Sequence, residues 1–104
     1  MTKTTTIKRG LEPMHPGELL REEVLPALRR DKTEIADLLG ISRPTLYDIL
    51  RERQSVTPDM ALRLGKLCGN GPDLWLNLQR TFDLHQAEKR LEKQIKKIPT
   101  LEVV

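Results

Sequence analysis

Three residues, Gly40-Ile41-Ser42, constrain the fold of this chain more than any other feature of its sequence. Gly40 follows an amphipathic run and can adopt the left-handed conformation that ends a helix. Ser42 is a favoured N-cap residue, and Pro44 fits the first turn that would follow it, so a new helix must begin at once. The segment 33–51 is therefore predicted to be two short helices that cross closely at a tight turn.

Helix start and stop signals recur through the rest of the chain. They predict five helices, which begin near Pro16, Asp31, Ser42, Thr57 and Pro72. Asp31 and Glu34 have the spacing of a capping box, in which each side chain accepts a hydrogen bond from the other residue's backbone N–H. Pro26 should end or kink the first helix. The helical pattern of the fifth continues toward Pro99, which should end it.

Composition favours an all-α fold. Aromatic residues make up only 3% of the 104 residues, so the core must be built mainly from Leu, Ile, Val and Ala. Leu dominates that set, and Leu and Ala favour helix whereas β-branched and aromatic residues favour strand. The length is that of a single domain. The net charge of +3 weakly favours an anionic partner, but a conclusion about function depends on where the charges lie.

The sequence offers no catalytic or metal-binding constellation. The single cysteine, Cys68, excludes an internal disulfide framework and a multi-cysteine zinc site. The two histidines, His15 and His85, lack partners at metal-ligand spacing, and we expect His15 to be a helix cap or a packing residue. We therefore expect neither an enzyme nor a cofactor. No run reaches the ~18 apolar residues of a membrane span, so no membrane partner is expected and the cytoplasm is the expected location.

The second helix of the tight pair has an outer face suited to reading bases. In a helix-turn-helix this second helix enters the major groove of DNA, with its N-terminal residues nearest the base edges. Its polar side chains can bond guanine or cytosine, and its ring and methyl groups can touch a thymine methyl. The residues expected at the bases are Arg43, Pro44, Thr45, Tyr47 and Asp48.

Phosphate contacts should flank that face, because they fix the register of the protein without reading sequence. They are expected at the start of the first helix of the pair, at the turn, and just beyond the second helix, which we call the reading helix. The residues are Lys32, Thr33, Ser42, Arg51, Arg53 and Gln54. Residues 29–53 hold six basic and five acidic side chains, a net charge of only +1, so this face is not strongly basic.

At this point the sequence resembles a known family. The apolar positions match the phage-repressor-like helix-turn-helix pattern: Ile35, Ala36, Leu39, Gly40, Ile41, Leu46 and Ile49. More specifically, the chain resembles the HigA-type antitoxins, also labelled virulence-associated protein I. That resemblance rests on HPGELLREE at 15–23, TPDMALRL at 57–64, and WLNLQ at 75–79 followed by Asp83-Leu84.

The resemblance implies a five-helix lambda-repressor-like domain that dimerises, binds its own operator, represses its operon and neutralises a RelE-like mRNA-cleaving toxin. We expect a flexible arm over 1–14, this helix-turn-helix domain over 15–87 and a charged helical tail over 88–104. On the fifth helix, Trp75, Leu78 and Phe82 are expected either in the core or, together with Leu74 and Asn77, in a dimer seam. A basic toxin would favour acidic contacts on the first helix, where Glu18, Glu22 and Glu23 are available.

Two other functions remain open from the sequence. One is a stand-alone transcriptional repressor of the same fold without a toxin partner. The other is a protein-binding module whose helix-turn-helix has lost DNA binding, which the near-neutral charge of residues 29–53 allows. Salt-dependent binding to promoter DNA separates the antitoxin and the plain repressor from the protein-binding module. An adjacent toxin gene separates the antitoxin from the plain repressor.

Overall fold

The computed structural model describes residues 12–102, which form five helices and no strand. Helix α1 has three consecutive parts, Pro16–Leu19, a π-helical turn at Leu20–Val24, and Leu25–Leu28. The others are α2 (Lys32–Leu39), α3 (Arg43–Leu50), α4 (Pro58–Cys68) and α5 (Asp73–Lys96). The predicted all-α fold with a helix-turn-helix is confirmed. Most of the arm expected over 1–14 lies outside the described residues.

The predicted helix caps are present, with one difference. Asp31, Ser42 and Thr57 each accept a hydrogen bond from the backbone N–H three residues later. The capping box ahead of α2 is only half formed, however, because the carboxylate of Glu34 is bonded to the Arg30 guanidinium. The Arg30 guanidinium therefore takes the place of the Asp31 backbone N–H as the partner of the Glu34 carboxylate.

Pro26 changes the geometry of α1 without ending it. Proline has no backbone N–H to donate to the preceding turn, so a regular ladder of α-helical hydrogen bonds cannot pass through it. The chain adopts a π-helical turn at Leu20–Val24, and the N–H of Leu25 donates to the carbonyl of Leu20, five residues back. Such turns are known accommodations of a disrupted helix. The helix continues to Arg29, whose positive φ of 57° ends it.

The core lies where the first four helices meet the start of α5. Its centre includes Trp75, Ile49 and Ala61, none of which exposes any surface. Two glycines allow the backbones to approach closely. A Cβ at Gly17 would lie 1.9 Å from the carbonyl oxygen of Ile49, and a Cβ at Gly65 would lie 2.3 Å from the carbonyl carbon of Gly71. Helix α1 therefore packs directly on the backbone of α3.

Helix α5 extends well beyond this core. Its 24 residues correspond to about 36 Å at 1.5 Å per residue, and the molecule measures 52 × 28 × 26 Å. The helix passes from the domain into the predicted tail without a break and ends at Lys96, near the expected stop at Pro99. Along 12–102, no helix is both long and apolar enough to cross a membrane.

Candidate nucleic-acid interface

Helices α2 and α3 cross at the turn that the sequence predicts. Gly40 has a φ of 73°, and the N–H of Ile41 donates to the carbonyl of Ala36 at 3.0 Å. Helix α3 buries Leu46, Ile49 and Leu50 against the core, so its opposite face is directed outward. That face carries the side chains expected to meet DNA.

Two arginines from other helices hold the C-terminal ends of this pair. Neither α2 nor α3 has a basic residue in its own last turn to neutralise the exposed carbonyls. Arg63 of α4 donates to the carbonyl of Leu39 at 2.7 Å, and Arg21 of α1 donates to that of Leu50 at 2.6 Å. Neither arginine was predicted from the sequence. The absence of a basic residue from the last turn of each helix indicates that its terminal carbonyls require a partner from elsewhere. It does not indicate which distant side chain that partner is.

Arg21 also makes ion pairs on both sides of this contact. Its Nε lies 2.9 Å from a carboxylate oxygen of Glu22, and its Nη1 lies 3.4 Å from one of Glu52. The hydrogen bond to Glu22 is the main cause that raises the pKa of the Arg21 guanidinium. Glu52 itself has a positive φ of 63° and reverses the chain immediately after α3. The C-terminal end of α3 is therefore linked to α1 through Arg21.

The five expected base-reading residues lie within the first six positions of α3 but differ in exposure. Arg43 and Pro44 are exposed, whereas Thr45, Tyr47 and Asp48 are half-buried. Arg43 donates from Nη1 to the hydroxyl oxygen of Thr33 at 3.1 Å, which links the starts of α3 and α2. The structure thus brings an expected base-reading residue together with an expected phosphate contact.

Tyr47 lies at the centre of the interface. The Nζ of Lys32 is 5.8 Å from the centroid of its ring, and the Cζ of Arg51 is 5.5 Å from it. Both distances are within the range of cation–π contacts. One surface groove is lined by Arg43, Pro44, Tyr47, Asp48 and Arg51. A second, which also includes Tyr47, is lined by Arg21, Leu25, Pro26, Arg30, Asp31, Lys32 and Thr33.

The remaining expected phosphate contacts lie at the edges of this surface. Ser42 is exposed at the turn, where its hydroxyl accepts from the backbone N–H of Thr45 and donates to the Thr45 hydroxyl oxygen at 2.9 Å. Arg53 and Gln54 are exposed in the loop after α3. The backbone N–H of Arg53 donates to the carbonyl of Asp48 at 2.8 Å, which fixes the start of that loop.

Buried polar groups behind the interface serve structural roles. Nδ1 of His15 accepts from the N–H of Gly17 at 2.8 Å, and its ring makes an edge contact with Phe82 at 5.0 Å. Burial lowers the pKa of His15, which favours the neutral form that this cap needs. Gln79 accepts from the N–H of Val56 at 2.8 Å and donates to Asp83 at 2.9 Å. The expectation that His15 is a cap is confirmed.

Burial also raises the pKa of the Cys68 thiol, so the neutral thiol is favoured over the nucleophilic thiolate. Over residues 12–102, no cluster of three or more His, Cys, Asp or Glu side chains has a geometry that could hold a metal ion.

For Trp75, the structure decides between the two expected places, the core and a dimer seam. Trp75 is entirely buried within the single chain, and its indole N–H donates to Asn70 at 3.2 Å, so it has no surface to present to a partner. Leu74 is 41% exposed and Asn77 is exposed, while Leu78 and Phe82 are half-buried. A shallow, largely apolar groove beside α5 is lined by Glu12, Pro13, Met14, Leu74, Asn77, Leu78 and Thr81.

The acidic residues expected to meet a toxin lie along α1. Glu22 and Glu23 are exposed on the π-helical turn, and Glu18 is half-buried in the first turn. Glu22 is already paired with Arg21.

Comparisons of the sequence and of the structure with known proteins indicate the same kind of relative. A family described as helix-turn-helix matches residues 20–75. Virulence-associated protein I of Dichelobacter nodosus is 38% identical over 82 residues, which is 79% of this chain and 76% of that protein. The structure of antitoxin GraA in complex with its operator superposes with a TM-score of 0.82 at 42% identity, covering 90% of this chain and 96% of that one. Pseudomonas aeruginosa antitoxin HigA with the higBA promoter gives a TM-score of 0.82 at 38% identity, covering 88% and 100%.

Proposed function

The chain belongs to the helix-turn-helix family, and on that premise we propose that it is an antitoxin that binds the operator of its own operon as a dimer and represses it. The observation that carries the proposal is the outward face of α3, with Arg43 at its start and Tyr47 beside Lys32 and Arg51. Similar proteins have been solved with an operator or a promoter. This family consists of DNA-binding regulators rather than enzymes.

In this proposal α3 lies in the major groove of the operator. Its exposed N-terminal residues, led by Arg43, approach the base edges, where an arginine can bond O6 and N7 of guanine. Lys32 and Thr33 at the start of α2, and Arg51 and Arg53 beyond α3, contact phosphates on either side. Arg21 and Arg63 do not touch DNA in this arrangement. They hold the ends of the two helices at a fixed distance from it.

A homodimer follows from the limited reach of one reading helix. One α3 spans too few base pairs for a selective site, whereas two copies can read half-sites about 34 Å apart. The proposed seam is the exposed side of α5 around Leu74, Asn77 and Leu78, with Phe82 at its edge. Apolar side chains further along the same helix, including Leu84 at 52% exposed and Ile95 at 54% exposed, support an interface on α5.

The proposed protein partner is a RelE-like mRNA-cleaving toxin, which is expected to be basic. The exposed carboxylates of Glu22 and Glu23 on α1, with Glu18 beside them, give this surface a charge that complements such a partner. Electrostatic complementarity of this kind mainly speeds association and selects the partner. A specific complex would cover about 800 Å² on each protein, so it needs more of the surface than these three residues.

The repressor function is tested with a reporter gene placed behind the region upstream of this chain's own coding sequence. The wild-type chain should repress the reporter. The variant with both Arg43→Ala and Arg51→Ala should not, although it accumulates to the same level. The double variant Lys66→Ala and Arg90→Ala is a matched control, because it removes two exposed positive charges that lie outside α2, α3 and the proposed dimer seam. Equal expression with and without the wild-type chain would contradict the proposal.

The antitoxin function is tested by co-expression with the product of the adjacent gene. The expected result is that this product arrests growth alone, and that the present chain relieves the arrest and co-purifies with it. Repression of the reporter together with a harmless neighbour would identify a stand-alone repressor. Failure to bind DNA together with capture of the neighbour would identify a protein-binding module.

A further inference from the structure

Tyr47 connects two cations that come from opposite ends of the helix-turn-helix. Lys32 is the first residue of α2, and Arg51 directly follows α3. Both lie over the same ring, at 5.8 Å and 5.5 Å from its centroid. The ring itself is half-buried and packs against the core, so it is a fixed support for two otherwise exposed side chains.

Lysine and arginine side chains have many rotamers, and ordering them on a phosphate costs conformational entropy. Contact with a fixed aromatic ring reduces the number of rotamers before any ligand binds. A guanidinium stacked on a ring still directs its N–H groups outward at its edges, where they can form paired bonds with phosphate oxygens. The same ring borders both grooves of the interface, and each groove carries one of the two cations.

We infer that Tyr47 is a positioning residue that holds Lys32 and Arg51 ready for two DNA phosphates, one on each side of the reading helix. This inference rests on the proposed operator binding. It is separate from the contact with a thymine methyl expected for the same ring, because an apolar contact neutralises no phosphate and leaves the salt dependence unchanged. Lys32 and Arg51 both carry a positive charge, so they repel each other beside the ring. Two bound phosphates would neutralise these charges and remove the repulsion.

The test measures how the affinity for the upstream operator fragment falls with salt in three proteins: wild type, Tyr47→Phe and Tyr47→Leu. The slope of log affinity against log salt falls by about one for each phosphate that the protein no longer neutralises. Tyr47→Phe keeps the ring and should keep the wild-type slope. Tyr47→Leu should flatten the slope by about one to two units per half-site. In the background of Lys32→Gln with Arg51→Gln, the same leucine substitution should flatten it no further.

A second measurement does not depend on the stability of Tyr47→Leu. The chain has a single tyrosine, so its ring signals in an NMR spectrum of the DNA-free protein are assigned directly. Arg51→Gln should shift those signals, whereas the matched control Arg53→Gln should leave them in place.

Three outcomes would overturn the inference. The first is an unchanged salt slope for Tyr47→Leu, even with weaker binding. The second is a Tyr47→Phe variant as impaired in slope as Tyr47→Leu. The third is ring signals that are insensitive to Arg51→Gln. In each of these cases the wild-type chain still binds the operator, so the proposed function survives. If the wild-type chain shows no salt-dependent binding to the fragment, the proposed function and this inference fail together.

Discussion

Arg43 and Arg53 carry the same charge but occupy different places relative to the reading helix. Arg43 is exposed at the start of α3, where base edges are expected, and Arg53 is exposed in the loop after it. The two arginines should therefore have different tasks. A base contact changes which sequence is preferred, whereas a phosphate contact changes affinity for all sequences alike.

We expect Arg43→Ala to cost ~1–3 kcal/mol on the operator and to relax the preference at one position of each half-site. Arg53→Ala should weaken binding to every sequence equally and lower the salt slope by about one unit per site. Binding to a panel of operators with single base changes checks both expectations. A uniform loss from both variants would mean that the reading face has been placed wrongly.

His15 makes stability depend on pH. Burial lowers its folded-state pKa below the ordinary value of 6.5, although Glu52 and Asp83 act in the opposite direction. In the unfolded chain the ring recovers its ordinary pKa, so below about pH 6.5 the unfolded state binds more protons than the folded state. Stability should therefore be lost as the pH falls from that value toward the folded-state pKa.

The variant His15→Asn isolates this contribution, because asparagine can also cap the helix but does not titrate. Urea unfolding of both proteins across that pH range should show a smaller loss for the variant. Parallel losses of stability in the two proteins would show that another group is responsible.

At the scale of whole helices, the structure depends on the direct contact between α1 and α3. Gly17 meets the backbone of Ile49 so closely that a methyl group there would lie 1.9 Å from a carbonyl oxygen. A backbone atom cannot rotate away as a side chain can, so α1 would have to move off the reading helix. The position of α3 is thus set partly by a residue 32 positions earlier in the sequence.

Gly17→Ala should therefore destabilise the fold by about 3 kcal/mol or more, at or above the upper end of the usual cost of overpacking. Gly69→Ala is the matched control. Gly69 has a φ of 78° but open space around it, so its replacement should cost only about 1–2 kcal/mol. Urea denaturation measures both values. A Gly17→Ala variant at least as stable as the control would contradict this account of α1 packing.

Local signals made much of this fold predictable. Asp31, Ser42 and Thr57 mark helix starts through chemistry that acts within three residues, and Gly40 and Gly69 mark helix ends in the same way. These signals do not depend on tertiary context, so the residues at which the helices begin are predictable from the sequence. The base-reading positions are also predictable locally, because the spacing of apolar residues along α3 indicates which of its faces is directed outward.

Contacts between distant residues could not be predicted. Arg21 reaches a carbonyl 29 positions later, and Arg63 reaches one 24 positions earlier. The π-helical turn before Pro26 and the clustering of cations on Tyr47 likewise arise from packing in three dimensions. The sequence leaves Trp75 open between the core and a dimer seam, because it shares α5 with polar residues, and only the position of the core relative to that helix decides between them.

At the scale of the molecule, the proposed function requires two copies on one operator. The exposed apolar side chains along α5 include Leu74, Leu84 and Ile95, and covering them is the expected benefit of dimer formation. We predict a dimer at micromolar concentration in sedimentation, and a smaller assembly for Leu74→Glu with Leu78→Glu. A wild-type chain that remains monomeric both alone and on DNA would remove the dimer from the proposal.

The central claim is that the outward face of α3 selects operator DNA by sequence. Competition binding tests it most directly, with the labelled fragment from upstream of the chain's own coding sequence, its unlabelled copy and a shuffled fragment of equal composition. We predict that the shuffled DNA competes at least about 10³-fold less well at physiological salt, and that Arg43→Ala narrows this gap. Equal competition by the two DNAs would contradict the claim.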